Sequence, residues 1–304
     1  MAILDIRNLV KRFGDVVAVD DLSFAVQPGE IFGFLGGNGA GKTTTLRMVL
    51  DIIRPTSGHI TVLGSAPDRR QSAAIGFLPE ERGLYAGMSA IDTIIYFGQL
   101  KGMTAADARA RGMALLARFD LADRAKSDIG DMSKGMAQKV QLATSLVNEP
   151  ALLMLDEPFS GLDPVNQGLL EDEILRASQR GAAVIFSTHV MQHAERLCDR
   201  LLLLRKGRKR FEGTLDEARA QLPASLVAVA KADLSQIPGV RSAAPLAEQD
   251  GWREWQVELE PGVLPERVLE HCSSSNMALR RWDEHRASLH DVFVALVGDE
   301  GVQK

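Results

Sequence analysis

The chain has 304 residues, enough for two domains, and its 45% hydrophobic and 25% charged residues are typical of a globular protein. The net charge of −5 argues against a general binder of polyanions, so no nucleic-acid partner is expected. The longest apolar runs, residues 151–155 and 201–204, are too short to span a bilayer, and the N-terminus lacks the apolar core of a signal peptide.

The first half of the chain changes from strand patterns to helix patterns. Residues 1–30 alternate apolar and polar side chains, which predicts a hairpin or small sheet, and residues 59–63 and 74–78 predict further short strands. The pattern of residues 89–149 is helical. Two capping boxes predict where helices begin in this stretch, Ser89 to Asp92 and Thr104 to Asp107.

Two continuous apolar runs follow, residues 151–155 and 182–187, and such runs are typical of parallel strands buried on both faces. Between them, Asp163 followed by Pro164 predicts the N-cap and first turn of a helix. Residues 201–204 predict one more strand. The basic run after it, residues 205–210, contains a central glycine and indicates a solvated hairpin turn rather than a site for nucleic acid or lipid headgroups.

The composition changes near residue 220, because all three tryptophans lie beyond residue 250. Residues 222–304 predict a small α+β domain of ferredoxin-like type. Its predicted elements are strand 225–230, helix 234–238, two strands of which the second is 252–260, helix 264–271, strand 278–282, and an amphipathic helix that carries Leu289, Val292, Phe293 and Val297.

A glycine-rich run follows the apolar residues 30–35 and precedes a helical pattern at residues 45–50. In this context a glycine-rich turn cradles phosphate, because glycines let backbone N–H groups wrap closely around phosphate oxygens. Lys42 is placed to reach the β- and γ-phosphates of a nucleotide, and Thr43 to hold Mg²⁺ through its hydroxyl. An ordinary glycine turn is the alternative. The predicted nucleotide-binding residues are Gly36, Asn38, Gly39, Ala40, Gly41, Lys42, Thr43 and Thr44.

Two adjacent acids, Asp156 and Glu157, end the apolar run 151–155. Side chains alternate along a strand, so these two carboxylates cannot do the same job. Asp156 suits the shell of a Mg²⁺ ion, and Glu157 suits a general base that activates water beside the γ-phosphate. The alternative is a strand that simply ends in solvated acids.

These residues together resemble an ABC-type ATPase, and residues 132–139 are similar to that family's signature sequence. Ser133 lies 23 residues before Asp156, at the head of a helical pattern that runs to about residue 147. The resemblance implies that Ser133 and the backbone near Gly135 contact the γ-phosphate held by a second subunit. It therefore implies a dimer, with a homodimer expected, that shares two ATP molecules. A plain N-capped helix is the alternative.

Four further residues take roles from the same resemblance. Asp163 belongs to a segment that is similar to the family's D-loop, and His189 is similar to the switch histidine that contacts the γ-phosphate. Phe13 matches the aromatic side chain that stacks on adenine. For His189 a structural role, and for Phe13 a place in the core, are the alternatives. Glu80 stands where the family usually has Gln, and its carboxylate can contact Mg²⁺ or a water bound to it.

Three other positions depart from the family pattern. Gly37 replaces a proline that is usual in the phosphate loop, while Met132 and Lys134 replace the common Leu and Gly of the signature. Lys134 would place a cation near the γ-phosphate of the partner's site. Residues 77–84 and the Ser-Lys-Gly-Met sequence resemble the ABC-2 exporter branch, whose ATPases carry an extra small C-terminal domain.

The resemblance implies an α/β fold, in which residues 1–220 form a P-loop ATPase core with a mixed sheet and a helical subdomain at about residues 85–149. It implies ATP hydrolysis with ATP and Mg²⁺ as cofactors, and a separate transmembrane permease subunit as partner. The expected location is cytoplasmic, peripheral on the inner face of the cell membrane. The alternative is a soluble ABC ATPase that acts on ribosomes or DNA, although those types usually carry two cassettes or long coiled coils.

Overall fold

The computed structural model describes residues 1–81, 83–260 and 262–298. It divides the chain into two compact units, of which the first spans Met1–Thr214 and the second spans Leu215–Glu300. The sequence predicted this boundary near residue 220. The structure places it earlier because a short helix, α7 (Leu215–Arg219), packs against the last helix of the second unit.

The first unit contains two sheets. Strands β1, β2 and β4 form a three-stranded antiparallel sheet, and the others form a six-stranded sheet of order β5-β6-β7-β3-β8-β9, in which the pair β8–β9 is antiparallel. This mixed arrangement confirms the predicted α/β class. Its elements are β1 (Leu4–Phe13), β2 (Val16–Val26), β3 (Ile31–Gly36), α1 (Lys42–Val49), β4 (Ser57–Val62), β5 (Ile75–Leu78), α2 (Ala90–Leu100), α3 (Ala105–Arg118), α4 (Lys134–Leu146), β6 (Leu152–Asp156), α5 (Pro164–Gln179), β7 (Ala183–Thr188), α6 (Met191–Leu197), β8 (Arg200–Arg205) and β9 (Arg208–Gly213).

The six-stranded sheet separates two hydrophobic cores, which explains why its central strands are continuously apolar. Along β6, Leu153 and Leu155 pack with helices α2 to α5. Leu152 and Met154 point to the opposite face, where α1 and the antiparallel sheet lie. Because successive side chains alternate, Asp156 also belongs to the face that carries α1 and the phosphate loop.

The helical stretch predicted for residues 89–149 is divided into three helices, with an irregular segment at residues 119–133. Both predicted N-caps are confirmed, since Ser89 accepts a hydrogen bond from the backbone of Asp92 and Thr104 accepts one from Asp107. Helix α3 ends because Asp120 takes a left-handed conformation with φ of 55°, which cannot continue a helix.

The basic run is a tight hairpin between β8 and β9, as predicted. Arg205 pairs with Arg208, and the two residues between them, Lys206 and Gly207, have φ of 48° and 79°. Two successive positive φ values are the signature of a type I′ turn, whose twist matches that of the flanking strands. Turn geometry therefore accounts for the glycine in this run.

The second unit is a four-stranded antiparallel sheet of order β11-β12-β10-β13, the strand order of a ferredoxin-like fold. The helix predicted at 234–238 is wrong: residues Leu234–Gln236 form a single 3₁₀ turn. Asp233 accepts a hydrogen bond from the Ser235 N–H, and Pro238 disfavours helical geometry at the preceding residue. The elements are α7, β10 (Ser225–Ala230), β11 (Val240–Gln249), β12 (Trp252–Leu259), α8 (Pro265–Ser274), β13 (Leu279–His285) and α9 (Leu289–Val297). Across the three described ranges, no helix combines the length and apolarity needed to cross a bilayer.

Candidate functional site

The glycine-rich loop joins the end of β3 to the start of α1 and requires glycine at two positions. A Cβ on Gly41, whose φ is 106°, would lie 2.4 Å from the backbone oxygen of Ala18. A Cβ on Gly36 would lie 2.6 Å from the backbone oxygen of Leu204. Only glycine fits where the loop passes this close to neighbouring backbone. The loop ends at Gly41, which is the N-cap of α1.

A cavity of about 370 Å³ lies at this loop and brings together most of the predicted site. Backbone N–H groups at a helix N-terminus favour a bound anion, so the cavity suits phosphate. Its lining residues are Ala18, Asn38, Gly39, Ala40, Gly41, Lys42, Thr43, Thr44, Glu80, Glu157, Ser160 and His189.

Lys42 is the cation of this cavity and is only 6% exposed. Its Nζ donates a hydrogen bond to the Gly36 backbone oxygen at 2.7 Å and lies 3.2 Å from Glu157 Oε1. The ammonium therefore bridges the phosphate loop and the acid that follows β6. A charge-assisted contact of this kind holds both groups in place until a nucleotide phosphate offers a better partner.

Glu157 and His189 are in direct contact. The carboxylate Oε2 lies 2.9 Å from His189 Nδ1, while the buried Oε1 faces the Lys42 ammonium without a well-aligned hydrogen bond. The Glu157 backbone has φ of 46°, an uncommon conformation for this residue type that costs about 1 kcal/mol or more. The site thus holds the Glu157 carboxylate in a fixed orientation, with Oε2 against His189 and Oε1 against the Lys42 ammonium.

Ser187 is a site residue that no sequence motif indicated. Its hydroxyl donates to Asp156 Oδ1 and accepts a hydrogen bond from the Glu157 N–H at 3.0 Å. The register of β6 and β7, which pairs Asp156 with Ser187, brings the two together. The sequence signal that could have indicated this residue is its position as a polar residue at the end of the apolar run 182–187. Ser187 therefore ties both acids to the neighbouring strand.

The oxygen donors near the loop fit Mg²⁺. Thr43 and Glu80 line the cavity, whereas the Asp156 carboxylate lies next to it against Ser187. No group of three or more His, Cys, Asp or Glu side chains suited to a metal occurs within residues 1–81, 83–260 and 262–298. Mg²⁺ does not need such a cage, because it takes few protein ligands and completes its shell with water and phosphate oxygens.

The signature residues lie outside this cavity. Ser133 caps α4 by accepting a hydrogen bond from the Met136 N–H at 3.3 Å, and neither Ser133 nor Gly135 lines the cavity. Helix α4 nevertheless forms hydrogen bonds with segments that carry site residues. Gln138 donates to the Pro158 backbone oxygen at 3.0 Å, and Gln141 donates to that of Glu81 at 3.1 Å.

Three other predicted contact residues, Gly36, Asp163 and Phe13, also do not line the cavity. Asp163 caps α5, and its two carboxylate oxygens accept hydrogen bonds from the backbone and side-chain nitrogens of Asn166. Phe13 is about half exposed, with Lys11 Nζ 4.8 Å from its ring centroid. The Phe13 ring is therefore accessible to a flat ligand but separate from the phosphate cavity.

A family model described as ABC transporter matches residues 19–160. An ABC transporter ATP-binding protein, the uncharacterised YhaQ of Bacillus subtilis (strain 168), is 36% identical over 302 residues, which cover 97% of this chain and 98% of that protein. The chain belongs to the ABC transporter ATP-binding proteins. It is therefore an ATPase that binds ATP.

Two further similarities support this assignment. Nod factor export ATP-binding protein I of Burkholderia pseudomallei (strain 1710b) is 36% identical over 310 residues, which cover 99% of this chain and 98% of that protein. A solved ATP-binding subunit of an ABC transporter has a TM-score of 0.68 and 32% identity, covering 72% of this chain and 92% of that one. The sequence relatives thus extend over both units of the chain.

Lys42 offers a direct test of the ATP site. We expect Lys42→Ala to weaken ATP binding by about 1.5–3 kcal/mol, because it removes a charge-assisted contact to the phosphates. Isothermal titration calorimetry with ATP measures this loss. Lys126→Ala is the matched control, since it removes an exposed ammonium that does not line the phosphate cavity. An ATP affinity that Lys42→Ala leaves unchanged would contradict the phosphate-cradle assignment.

Proposed function

We propose that this ABC ATPase is the nucleotide-binding subunit of an exporter, and that it dimerises around two MgATP to power a separate membrane subunit. One observation carries the proposal: Lys42, Glu157 and His189 meet in one cavity, while the signature Ser133 lies outside it. Each chain thus holds a phosphate loop and a catalytic acid, together with a signature helix that its own cavity does not use.

A second copy supplies what the cavity lacks. Helix α4 is 13 residues long and begins just after Ser133, so its N-terminal N–H groups and dipole favour a γ-phosphate bound at this end of the helix. Two copies related by a two-fold axis satisfy both cavities at once, because the same pair of surfaces meets twice. The resulting homodimer contains two equivalent shared sites.

Each residue of the cavity has a separate role in ATP hydrolysis. Lys42 and the loop N–H groups hold the phosphates, and Glu157 Oε1 accepts the proton of the attacking water. His189 orients Glu157 through Nδ1, which leaves Nε2 for the γ-phosphate. Thr43, Glu80 and Asp156 provide oxygens for Mg²⁺, which would neutralise charge on the phosphates when bound.

The membrane subunit is proposed to contact the region after Glu80. There Tyr85 and Tyr96 are 55% and 38% exposed and pack edge to face, with ring centroids 6.0 Å apart. Exposed tyrosines are enriched at protein interfaces. The full-length similarity to an ATP-binding protein of Nod factor export supports an export role. On this proposal the chain is cytoplasmic and bound to the membrane through its partner.

The second unit is proposed to be an accessory domain. Every residue assigned to the phosphate site precedes residue 190, whereas the second unit begins at Leu215. The second unit has a separate hydrophobic core, which includes Leu226, Trp255 and Val268. The chemistry of hydrolysis therefore belongs to the first unit alone.

The proposed membrane partner is tested by charging the tyrosine pair. We expect the double variant Tyr85→Asp, Tyr96→Asp to disappear from the membrane fraction of the native host, because two carboxylates at an apolar contact must be desolvated. Sedimentation of membranes followed by immunoblotting measures this loss. Val16→Asp, which charges an exposed apolar residue on β2, should stay with the membranes. Wild-type protein that sediments with ribosomes and not with membranes would favour the ribosomal alternative.

A further inference from the structure

His193 is a buried histidine that the hydrolysis scheme above does not use. It lies on α6, four residues after His189, and is 7% exposed. Its ring stacks on that of Phe159, with ring centroids 3.9 Å apart and planes 7° from parallel. Phe159 stands two residues after Glu157. His193 thus connects the segment after the catalytic acid with the helix after the switch histidine.

Phe159 anchors a tight turn. The Ser160 N–H donates to the Glu157 backbone oxygen at 3.1 Å, and the Leu162 N–H donates to that of Phe159 at 3.2 Å. The Phe159 ring also meets Phe186 of β7 edge to face, with centroids 5.8 Å apart. Because this turn begins at the strained Glu157, the position of the Phe159 ring restricts the direction of the Glu157 carboxylate.

One edge of the His193 imidazole faces an acid on α5. His193 Nδ1 lies 3.5 Å from Glu171 Oε1, and each of these buried atoms lacks a well-aligned hydrogen bond within the described structure. Glu171 Oε2 accepts a hydrogen bond from Arg196 Nη2, so that carboxylate already has a cationic partner. Burial lowers the pKa of His193, and this effect outweighs the nearby Glu171 carboxylate, which raises the pKa; Arg196 lowers it by a smaller amount.

We propose that His193 is a positioning residue for ATP hydrolysis, and that its stack on Phe159 holds Glu157 in line with His189. This proposal rests on the proposed roles of those two residues. The Glu157–His189 contact of 2.9 Å joins side chains that follow different strands, β6 and β7. The stack of Phe159 on His193 is a second link between the same two segments. Loss of this link should let the carboxylate move by a fraction of an ångström or more, which is enough to slow a chemical step.

The test is the separation of kcat from KM. We expect His193→Ala to lower kcat for ATP hydrolysis about 10-fold or more while KM for ATP stays within about 2-fold, since the Lys42 cradle is intact. His193→Phe keeps an aromatic ring against Phe159 and should restore most of kcat. Phe159→Leu removes the other ring of the stack and should reproduce the fall in kcat. Each rate is divided by the concentration of folded ATP-binding sites, which is determined by titration with ATP.

A purely structural role predicts a different result. Ile60→Ala is the control, because Ile60 is equally buried but belongs to the core on the other face of the sheet. It should lower the melting temperature and leave kcat per folded site unchanged. The proposal is overturned if His193→Ala and Phe159→Leu both behave like Ile60→Ala, or if His193→Phe is as slow as His193→Ala. Glu157→Gln is assayed in parallel, because normal turnover in that variant would reject the catalytic scheme itself and not merely the role of His193.

Discussion

Replacement of Glu157 by Gln is expected to lower kcat for ATP hydrolysis by about 10²- to 10⁴-fold, the usual effect of losing a general base. The amide has the shape of the carboxylate but cannot accept the proton of the attacking water. Because Lys42 and the phosphate loop are unchanged, ATP should still bind. Phosphate release at saturating ATP measures the loss in kcat, and size-exclusion chromatography with ATP should show a stable dimer that accumulates.

Glu173→Gln is the matched control for this variant. Glu173 is also a buried glutamate, but it forms an ion pair with Arg118 and does not line the cavity. Removal of its charge should reduce stability, because the Arg118 guanidinium loses its partner, while kcat per folded site stays close to that of the wild type. Near-normal turnover in Glu157→Gln would remove Glu157 from the role of general base.

Ser133→Arg is expected to abolish hydrolysis in the homodimer while ATP binding to the monomer remains intact. Ser133 does not line its own chain's cavity, so a bulky cation there cannot disturb the phosphates that the same chain holds. In the dimer, the arginine would fill the space that the partner's γ-phosphate needs. Calorimetry measures ATP binding by the monomer. Phosphate release, assayed at high protein concentration, measures hydrolysis by the dimer. Gln99→Arg, on the exposed side of α2, controls for the added bulk and charge.

A mixture of Ser133→Arg with Lys42→Ala tests whether the site is shared between subunits. In the heterodimer, one composite site carries both changes, and the other carries neither. Recovery of hydrolysis, when neither homodimer hydrolyses ATP, would support the shared geometry. Full activity of the Ser133→Arg homodimer would contradict it directly, because a signature that acts in trans cannot tolerate that change.

Much of the fold could be predicted from local sequence patterns. The helix caps at Ser89 and Thr104 and the turn at Gly207 depend on residues a few positions apart, so they are visible in the sequence. The helix predicted at 234–238 failed for an equally local reason, because Pro238 and the Asp233 side chain favour a single turn. The order of the strands in the sheets, in contrast, depends on pairings between distant segments that no local pattern encodes.

Local sequence patterns identify the residues that can bind phosphate, because glycine spacing, a lysine and two acids at a strand end are all visible within short segments. How these residues meet depends on the tertiary structure. It placed Lys42 against Glu157, added Ser187 through strand register, and left Ser133 outside the cavity. It also stacked His193 on Phe159, two residues 34 positions apart along the chain. Such contacts depend on how strands and helices pack, and packing results from the burial of the whole core rather than from any one segment.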